Sequence, residues 1–536
     1  MVHWADVLAR DVADESAGPH VLATAITPSG PIHVGNMREV LTTDAVHRAL
    51  LDRGARSELL YIGDTYDPLR KVYPFLDKGT YEEHVGKPLS EIPCPGPDGK
   101  PARCHPSYAH HFLEPFLQAL SELGVRPRVM LAHEMYERGD YVEATLRALE
   151  RTTAIRDILV RVAKREGKIP ESYLPFNVQC ERCRRLNGPV PLLYETPYVE
   201  YACKACGHEG RKDVRQGGGG KLPWRVDWPA RWWFLGVTFE AMGKDHAAAG
   251  SSWDTGVEIV RDVYGRQPPA RTVYEFIQLK GVGAMHSSTG TAVAATDMLK
   301  MTPPEVLRFL LMRPHPSKHI DFDPGDGVAT LVDEYDAWDR AKFGKDDRRP
   351  DMEDLDRVIE LSEPEHPMTR DHTHPAISWQ NLAILWQANR HTRDPLAQIR
   401  RVLQERQGVR LDARDEAWLQ SRVRHVAYWL SAFAPDKWKF TLHGDWSPAL
   451  ARGLDESDRR LAATLAQALS AVAWEPQAVH DAVYAAAEKA GLPGKKGFEV
   501  VYKAFLGQPR GPRAGYFLAS LERDFVARRL QDAAAG

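Results

Sequence analysis

The sequence predicts an α/β domain built on a parallel sheet, followed by an all-α C-terminal domain. A buried-strand pattern at residues 21–26 leads through a turn into a helical pattern at 37–51, and a second strand follows at 57–67. Strand, helix and strand in this order and spacing are typical of a βαβ unit, and therefore of a parallel sheet. The C-terminal part is predicted from amphipathic helical patterns that fill residues 376–534.

Composition and length are those of a folded protein with several domains. The chain has 536 residues, of which 43% are apolar and 27% charged, and this length predicts two to four domains. Because the net charge is only −3, any contact with nucleic acid requires a local basic surface. We read no signal peptide and no apolar run of membrane-spanning length in the sequence, so we expect a cytoplasmic protein without a membrane partner.

The α/β pattern continues after the first βαβ unit. Further helical patterns lie at about 107–123 and 140–166, and strands followed by glycine-containing loops lie at 234–246 and 272–290. A helix with proline in its first turn is predicted at 303–312. In parallel sheets, ligands bind at the carboxyl ends of the strands, which is where the turn after the first strand lies.

An insert at about 175–215 interrupts this pattern and is predicted to bind zinc. Cys180 and Cys183 form one C-x-x-C pair, and after nineteen residues Cys203 and Cys206 form another. Four thiolates suit a tetrahedral, structural Zn²⁺ site. A redox pair is the alternative, although redox motifs are not normally doubled in this way.

A second group of metal-ligand types surrounds the stretch PGPDGKPAR. Its members are Cys94, Cys104, His84, His105, His110 and His111. Their spacing is consistent with a second metal site and also with an ordinary polar loop, which is the commoner arrangement.

The segment TPSGPIHVGNMRE, from Thr27 to Glu39, predicts a nucleotide site. Gly30 and Gly35 allow the backbone to approach a ligand closely. The following helix directs its free N–H groups and its dipole at the turn, an arrangement that suits phosphate. His33 and Asn36 can both donate hydrogen bonds. A proline- and glycine-rich loop with an incidental histidine remains the alternative.

HVGN and the later stretch AMHSSTG (284–290) together resemble the two ATP-binding motifs of class I aminoacyl-tRNA synthetases. His33, Gly35 and Asn36 match the first motif, usually written HIGH, and Met285 and Ser288 match the second, usually written KMSKS. Four further segments resemble the sequences of class I lysyl-tRNA synthetases in particular: YDPLRKV, GKDHAAAGSSWDTG, SKHIDFDPG and GQPRGPRAG. This resemblance covers most of the chain.

The resemblance implies an architecture and a reaction. It implies a Rossmann-type catalytic domain over residues 1–343 with a zinc-ribbon-like insert, a linker region at 344–375 and a helical anticodon-binding domain at 376–536. ATP, with Mg²⁺, would activate L-lysine to lysyl-adenylate, and the lysyl group would pass to tRNA(Lys). Zn²⁺ would be structural. Catalysis would come from positioning and electrostatic stabilisation without a covalent enzyme intermediate, and we expect a monomer.

The resemblance also implies three groups of site residues. The catalytic group is His33, Asn36, His286, Ser287 and Ser288. The ATP-binding group is Pro28, Ser29, Gly30, His33, Gly35, Asn36, Asp245, Met285 and Ser288. The lysine-binding group is Thr27, Trp224, Asp227, His246 and Tyr274. A lysine pocket needs acceptors for two ammonium groups and an apolar wall for the aliphatic stem.

The second motif departs from the family pattern because Ala284 and Ser287 stand where lysines are usual. Losing one preorganised donor typically costs about 10²–10³ in rate. His286, Lys280 or Lys244 could supply the missing charge. Two alternatives to a lysine–tRNA ligase therefore stay open. One is a paralogue that activates an amino acid outside translation or survives an inhibitor, and the other is a catalytically inactive tRNA-binding paralogue.

Overall fold

The computed structural model describes residues 2–163, 169–280, 283–284, 293–407 and 410–536. The chain divides into two units. The first comprises Met1–Leu299, Pro304–Phe322 and Arg349–Thr369, and the second comprises Lys300–Pro303, Asp323–Arg348 and Arg370–Gly536.

The strands and helices are as follows. The strands are β1 His20–Ile26, β2 Ser57–Gly63, β3 Cys94–Pro95, β4 Pro101–Ala102, β5 Arg128–Leu131, β6 Asn177–Val178, β7 Pro189–Glu195, β8 Tyr198–Cys203, β9 Glu209–Asp213, β10 Gly220–Lys221, β11 Phe239–Gly243, β12 Ala270–Tyr274, β13 Ile277–Leu279, β14 Gly283–Ala284 and β15 Ile320–Phe322. The helices of the first half are α1 Trp4–Glu15, α2 Val34–Asp52, α3 Lys78–Tyr81, α4 Tyr108–Glu122, α5 Ala132–Arg138, α6 Val142–Glu150, α7 Thr152–Val162, α8 Trp224–Phe234, α9 Lys244–Ala247, α10 Ser252–Asp262, α11 Ala295–Met301 and α12 Pro304–Met312. The remaining helices are α13 Asp326–Lys342, α14 Leu355–Ser362, α15 Trp379–Asn389, α16 Pro395–Gln407, α17 Ala413–Ala432, α18 Pro448–Arg452, α19 Glu456–Ser470, α20 Pro476–Lys489, α21 Gly494–Leu506, α22 Ala514–Ala519 and α23 Arg523–Ala535.

A five-stranded parallel sheet of order β12-β11-β1-β2-β5 organises the first unit, which confirms the predicted α/β fold. β1 lies in the middle, with Leu22 paired to Leu59 on one side and to Phe239 on the other. The strand order reverses between β1 and β11. Ligands bind at the carboxyl ends of the strands on either side of such a switch point, so the segments after Ile26 and Gly243 are the expected site.

The apolar core of the first unit forms between this sheet and the helices that cover it. Met135, Trp228, Trp232 and Ile259 are among its buried members. β1 reads as an almost continuous apolar run because both faces of a parallel sheet are covered.

The insert has its own small core and a three-stranded antiparallel sheet, β7-β8-β9. β6 and β10 pair antiparallel, Asn177 with Lys221 and Val178 with Gly220. This pairing brings the two ends of the insert together, and it confirms the predicted four-cysteine insert as a separate element of the fold.

The second unit is all-helical across its described residues, as predicted. Its largest core joins α15 with α19 to α23 through buried residues such as Leu461, Val483, Val501 and Phe517. None of the described helices has the combination of length and apolarity that a membrane span requires.

The stretch predicted as a linker region carries regular structure. Residues 349–369 belong to the first unit and include α14. The buried Arg308 side chain on α12 donates to the Leu361 carbonyl at 2.8 Å. The sequence prediction missed α14 because charged and proline-rich stretches flank its short apolar pattern. That pattern consists of Leu355, Val358, Ile359 and Leu361, all of which are buried.

Candidate active site and metal centres

The first predicted ATP motif forms the N-terminus of α2. His33 is the N-cap residue, and its Nδ1 accepts a hydrogen bond from the Gly35 N–H at 3.1 Å. The Asn36 amide oxygen in turn accepts from the His33 N–H at 3.4 Å. Because Nδ1 is an acceptor, a neutral His33 ring carries its proton on Nε2. Both motif side chains are therefore held by the helix end to which an anion would bind.

Gly35 is required by the close approach of the His33 ring. A Cβ atom at this position would lie 2.8 Å from both Cε1 and Nδ1 of His33. That is well inside van der Waals contact, so any larger residue would displace the imidazole.

The segment that follows the second motif pairs with the first motif. The Val34 N–H donates to the Val293 carbonyl at 3.3 Å, and the Ala295 N–H donates to the Ile32 carbonyl at 3.1 Å. β14 ends at Ala284 on the other side of that motif. Met285, His286, Ser287 and Ser288 lie outside the described residues, so the roles predicted for them remain predictions.

The loop between β1 and α2 is anchored by its neighbours. The Thr27 hydroxyl donates to the Asp67 carboxylate at 2.8 Å, and the Ser29 N–H donates to the Thr27 carbonyl at 2.8 Å. Pro28 and Gly30 are buried, whereas Thr27 and Ser29 are half-buried. The predicted ATP loop is thus a tight, externally held turn at the switch point of the sheet.

The loop after β11 begins with a close backbone approach. A Cβ at Gly243 would lie 2.6 Å from Asp245 Oδ1 and 3.6 Å from the Tyr274 hydroxyl. Lys244 Nζ lies 2.6 Å from the Glu275 carboxylate, and Asp245 is largely exposed. Lys244, proposed from sequence as a substitute cation, therefore lies directly beyond the carboxyl end of β11.

Aromatic side chains from α8 form a wall beside this loop. The indoles of Trp224 and Trp228 stack with centroids 5.1 Å apart, and the His246 ring lies 6.0 Å from the first and 5.7 Å from the second. Trp224 remains 37% exposed although it is part of this stack. Two predicted lysine-pocket residues, Trp224 and His246, are therefore brought together at one surface.

Asp227 lies beneath this wall and has no exposed surface. Its carboxylate accepts from the Tyr136 and Tyr141 hydroxyls at 2.8 and 3.1 Å and from Arg231 Nε at 2.6 Å. Lys221 Nζ lies 3.8 Å away. Asp227 is thus enclosed by protein groups, and its predicted contact with lysine remains a prediction.

The same buried network reaches the ATP loop through Asp64 and Asp67. Arg231 forms an ion pair with Asp64, whose pKa is raised by burial against the opposing effect of Arg231. Lys221 Nζ lies 2.6 Å from Asp67. Burial tends to raise the pKa of Asp67, but the Lys221 ammonium, with the Thr27 hydroxyl and the Arg231 charge, outweighs burial and the pKa is lowered.

Glu39 is a half-buried carboxylate close to the first ATP motif that the sequence prediction missed. Its two oxygens accept from the Ala25 N–H and from the Tyr274 hydroxyl, each at 3.0 Å. Burial, reinforced by nearby Glu240 and Asp64, raises the pKa of Glu39 to about 8. Within the described residues Glu39 forms no ion pair with a lysine or arginine. The available signal was an acidic residue three positions after Asn36, on a helix whose buried residues are mostly apolar.

The four cysteines of the insert form a compact sulfur cluster. Their Sγ atoms all lie within 4.8 Å of one another, with 3.6 Å between Cys180 and Cys206 and 3.6 Å between Cys183 and Cys203. A tetrahedral site with Zn–S bonds of about 2.3 Å separates its sulfurs by roughly 3.8 Å. The residues therefore fit zinc.

Matching turns shape the two halves of this cluster. The Arg184 N–H donates to the Cys180 carbonyl at 2.9 Å, and the Gly207 N–H donates to the Cys203 carbonyl at 2.8 Å. Both donors have positive φ, 62° at Arg184 and 71° at Gly207. Each C-x-x-C pair is thus turned so that two thiols point to a common centre.

The upstream group also converges in the structure. Cys94, Cys104, His105 and His111 offer ligand atoms within 4.8 Å of one another. Cys104 Sγ lies 3.2 Å from Cys94 Sγ, 3.2 Å from His105 Nδ1 and 3.6 Å from His111 Nδ1. A tetrahedral Cys₂His₂ zinc site has about this spacing, whereas His84 and His110 are not members of the cluster.

Comparison with known proteins decides among the families that share such a fold. A family model described as "tRNA synthetases class I (K)" matches residues 2–365, and an "Anticodon binding domain" model matches residues 438–534. This chain belongs to the class I lysyl-tRNA synthetase family. The resemblance stated from the sequence motifs is confirmed.

Full-length relatives agree with this family assignment. The chain is 43% identical to "Lysine--tRNA ligase 1" of Methanosarcina acetivorans, an alignment that covers 99% of this chain and 98% of that protein. It is 39% identical to "Lysine--tRNA ligase" of Thermoplasma volcanium, with 99% of each chain covered.

Proposed function

We propose that this chain is a lysine–tRNA ligase that activates L-lysine with ATP and transfers the lysyl group to tRNA(Lys). The observation that carries the proposal is the family match together with full-length relatives of about 40% identity that bear this name. The intact His33–Asn36 helix cap at the carboxyl end of β1 supports it, as does the Val293–Ala295 pairing with the same segment.

We propose Glu39 as the acceptor for the lysine ε-ammonium. Glu39 is a half-buried carboxylate whose hydrogen-bond donors are neutral and whose pKa is raised to about 8 by burial of the carboxyl atoms, so a cation would stabilise its ionised form. An incoming ammonium would lower that pKa and complete a charge-assisted hydrogen bond. Tyr274 holds the carboxylate in place, while the Trp224 and His246 rings suit the walls of the pocket.

ATP would bind across the N-terminus of α2. The helix dipole and the Nε2–H of His33 both favour the negative charge that grows on the α-phosphate as the lysine carboxylate attacks it. Asn36 and the buried glycine loop would fix the phosphate position. Asp245, exposed beyond β11, would hold a ribose hydroxyl or the α-ammonium group.

Metal ions would serve two purposes. Zn²⁺ would be held by Cys180, Cys183, Cys203 and Cys206, where four thiolates leave no open position and make the ion structural. A second Zn²⁺ would be held by Cys94, Cys104, His105 and His111, which we call the Cys94 cluster. Mg²⁺ would enter with ATP, because this ion is commonly bound through substrate phosphates rather than by a dedicated protein cage.

The second unit would contact tRNA(Lys). The anticodon-binding match at 438–534 falls within its helices. Splayed anticodon bases are commonly recognised by aromatic and arginine side chains, and both types occur on α19 to α23.

Aminoacylation with labelled lysine tests the proposal directly. We expect charging of a tRNA(Lys) transcript and none of a tRNA(Glu) transcript, with lysine as the accepted amino acid. Adenylate formation without charging of any tRNA would support the paralogue outside translation, and failure of both steps would support the inactive paralogue.

A further inference from the structure

We propose that Tyr108 is a positioning residue for the ATP loop, holding the Ser29 carbonyl, and that the Cys94 cluster in turn fixes Tyr108. This inference rests on the proposed function. Tyr108 lies outside both sequence motifs and outside the lysine pocket.

The contact is a single long-range hydrogen bond. The Tyr108 hydroxyl donates to the Ser29 carbonyl at 2.7 Å, across 79 residues of sequence. Tyr108 has no exposed surface, so the donor end of this bond is shielded from water, while Ser29 is half-buried. Burial also raises the pKa of Tyr108, which keeps the hydroxyl protonated as a donor.

The ATP loop depends on such external bonds. Pro28 and Pro31 have no N–H group, so the loop between them can form few backbone hydrogen bonds of its own. Within it the Ser29 N–H closes a tight turn onto the Thr27 carbonyl at 2.8 Å. The bond from Tyr108 to the Ser29 carbonyl ties this turn to the rest of the domain.

Tyr108 is itself held rigidly at the first position of α4. Its N–H donates to the Ile92 carbonyl at 2.9 Å, and its ring packs edge-on against Phe112, with centroids 4.9 Å apart. It belongs to a separate buried cluster that includes Leu69, Tyr73 and Leu89.

The Cys94 cluster brackets this position. His105 lies three residues before Tyr108, and His111 lies three residues after it on α4. Their Nδ1 atoms are 3.2 Å apart, so a metal ion shared by them would clamp the chain on both sides of Tyr108. Loss of that ion would let Tyr108 shift, and the Ser29 carbonyl and the ATP loop would shift with it. Catalysis is sensitive to small displacements of this kind.

Tyr108→Phe tests the bond because it removes only the hydroxyl. We expect the KM for ATP in lysine-dependent pyrophosphate exchange to rise by about five- to tenfold, the effect of one hydrogen bond of about 1 kcal/mol. The KM for lysine should stay within twofold. The matched control is Tyr264→Phe, which removes a buried tyrosine hydroxyl that donates to the Ala144 carbonyl at 3.2 Å and should leave both KM values unchanged.

Cys104→Ser tests whether the metal site of the Cys94 cluster affects ATP binding, with Tyr108 left intact. We expect one zinc fewer per chain by elemental analysis, and weaker binding of a non-hydrolysable ATP analogue by calorimetry. This variant also decides the question if Tyr108→Phe does not fold. Loss of the zinc with unchanged binding of the analogue would overturn the coupling to the metal centre.

The outcomes separate this inference from the proposed function. If the wild-type chain shows no lysine-dependent exchange, the proposed function fails, and analogue binding alone then tests the role of Tyr108. If wild-type exchange is normal and Tyr108→Phe shifts the ATP KM no more than Tyr264→Phe does, the positioning role is overturned while the function stands.

Discussion

The Tyr274 hydroxyl donates a hydrogen bond to the Glu39 carboxylate at 3.0 Å, and this contact joins the end of β12 to the first turns of α2. The Glu39 carboxylate therefore lies beside the ATP motif, and its side-chain partner is a neutral hydroxyl and not a cation. A carboxylate in that state is poised to receive a positively charged group.

Glu39→Gln should raise the KM for lysine by about 30- to 100-fold, because a charge-assisted hydrogen bond contributes about 2–3 kcal/mol. The KM for ATP should change little. Tyr274→Phe, which only releases the carboxylate, should have a smaller effect of the same kind. Steady-state pyrophosphate exchange with each substrate varied in turn measures this, and an equal rise in both KM values would contradict the assignment.

The raised pKa of Glu39 predicts a pH dependence of lysine use. The ammonium binds the ionised carboxylate, whose fraction in the free protein falls about tenfold for each pH unit below a pKa of about 8. The kcat/KM for lysine should therefore rise with pH up to about 8 and then level off. Glu39→Gln should abolish this rise of kcat/KM with pH. An unaltered pH profile in the variant would show that another group causes the rise.

His33 combines a structural and a catalytic role that two substitutions separate. His33→Ala removes the cap and the imidazole, whereas His33→Asn retains a strong capping side chain. We expect both to reduce kcat of exchange by about 10²–10³. Only the alanine variant should also lower the melting temperature. Near-normal kcat in His33→Asn would mean that capping is the sole role of this residue.

Asp227→Asn should mainly affect stability. Removing the charge leaves Arg231 and Lys221 buried with one carboxylate fewer, and breaking a buried ion pair of this kind costs about 3–5 kcal/mol. Denaturant unfolding measures the loss, while the KM for lysine should remain near the wild-type value in protein that is still folded. A large rise in that KM without loss of stability would instead place Asp227 in contact with the substrate.

Elemental analysis should find two zinc ions per chain, one for each cluster. Cys203→Ser should remove one of them and loosen the insert, because a structural site contributes directly to local folding. Hydrogen exchange should then increase in β7 to β9 but not in α19 to α23. Full zinc content in the variant would show that these thiols are not the ligands.

Local patterns were sufficient to predict the sheet, the cysteine cluster and the helical second unit. Apolar runs mark β1, and C-x-x-C spacing marks a metal site, within a few residues of sequence. The Glu39–Tyr274 bond spans 235 residues and left no such signal. The burial of Asp227 depends on Tyr136, Tyr141 and Arg231 converging on it in three dimensions. The Cys94 cluster likewise depends on the β3-β4 hairpin, which brings Cys94 and Cys104 together.

Lysine-dependent ATP–pyrophosphate exchange, run with and without tRNA(Lys) against a panel of amino acids, decides whether this chain activates lysine. We expect exchange with lysine in at least one of these conditions and none with glutamate, despite the absence of both usual lysines from the second motif. No exchange with lysine in either condition, or faster exchange with glutamate, would contradict this expectation.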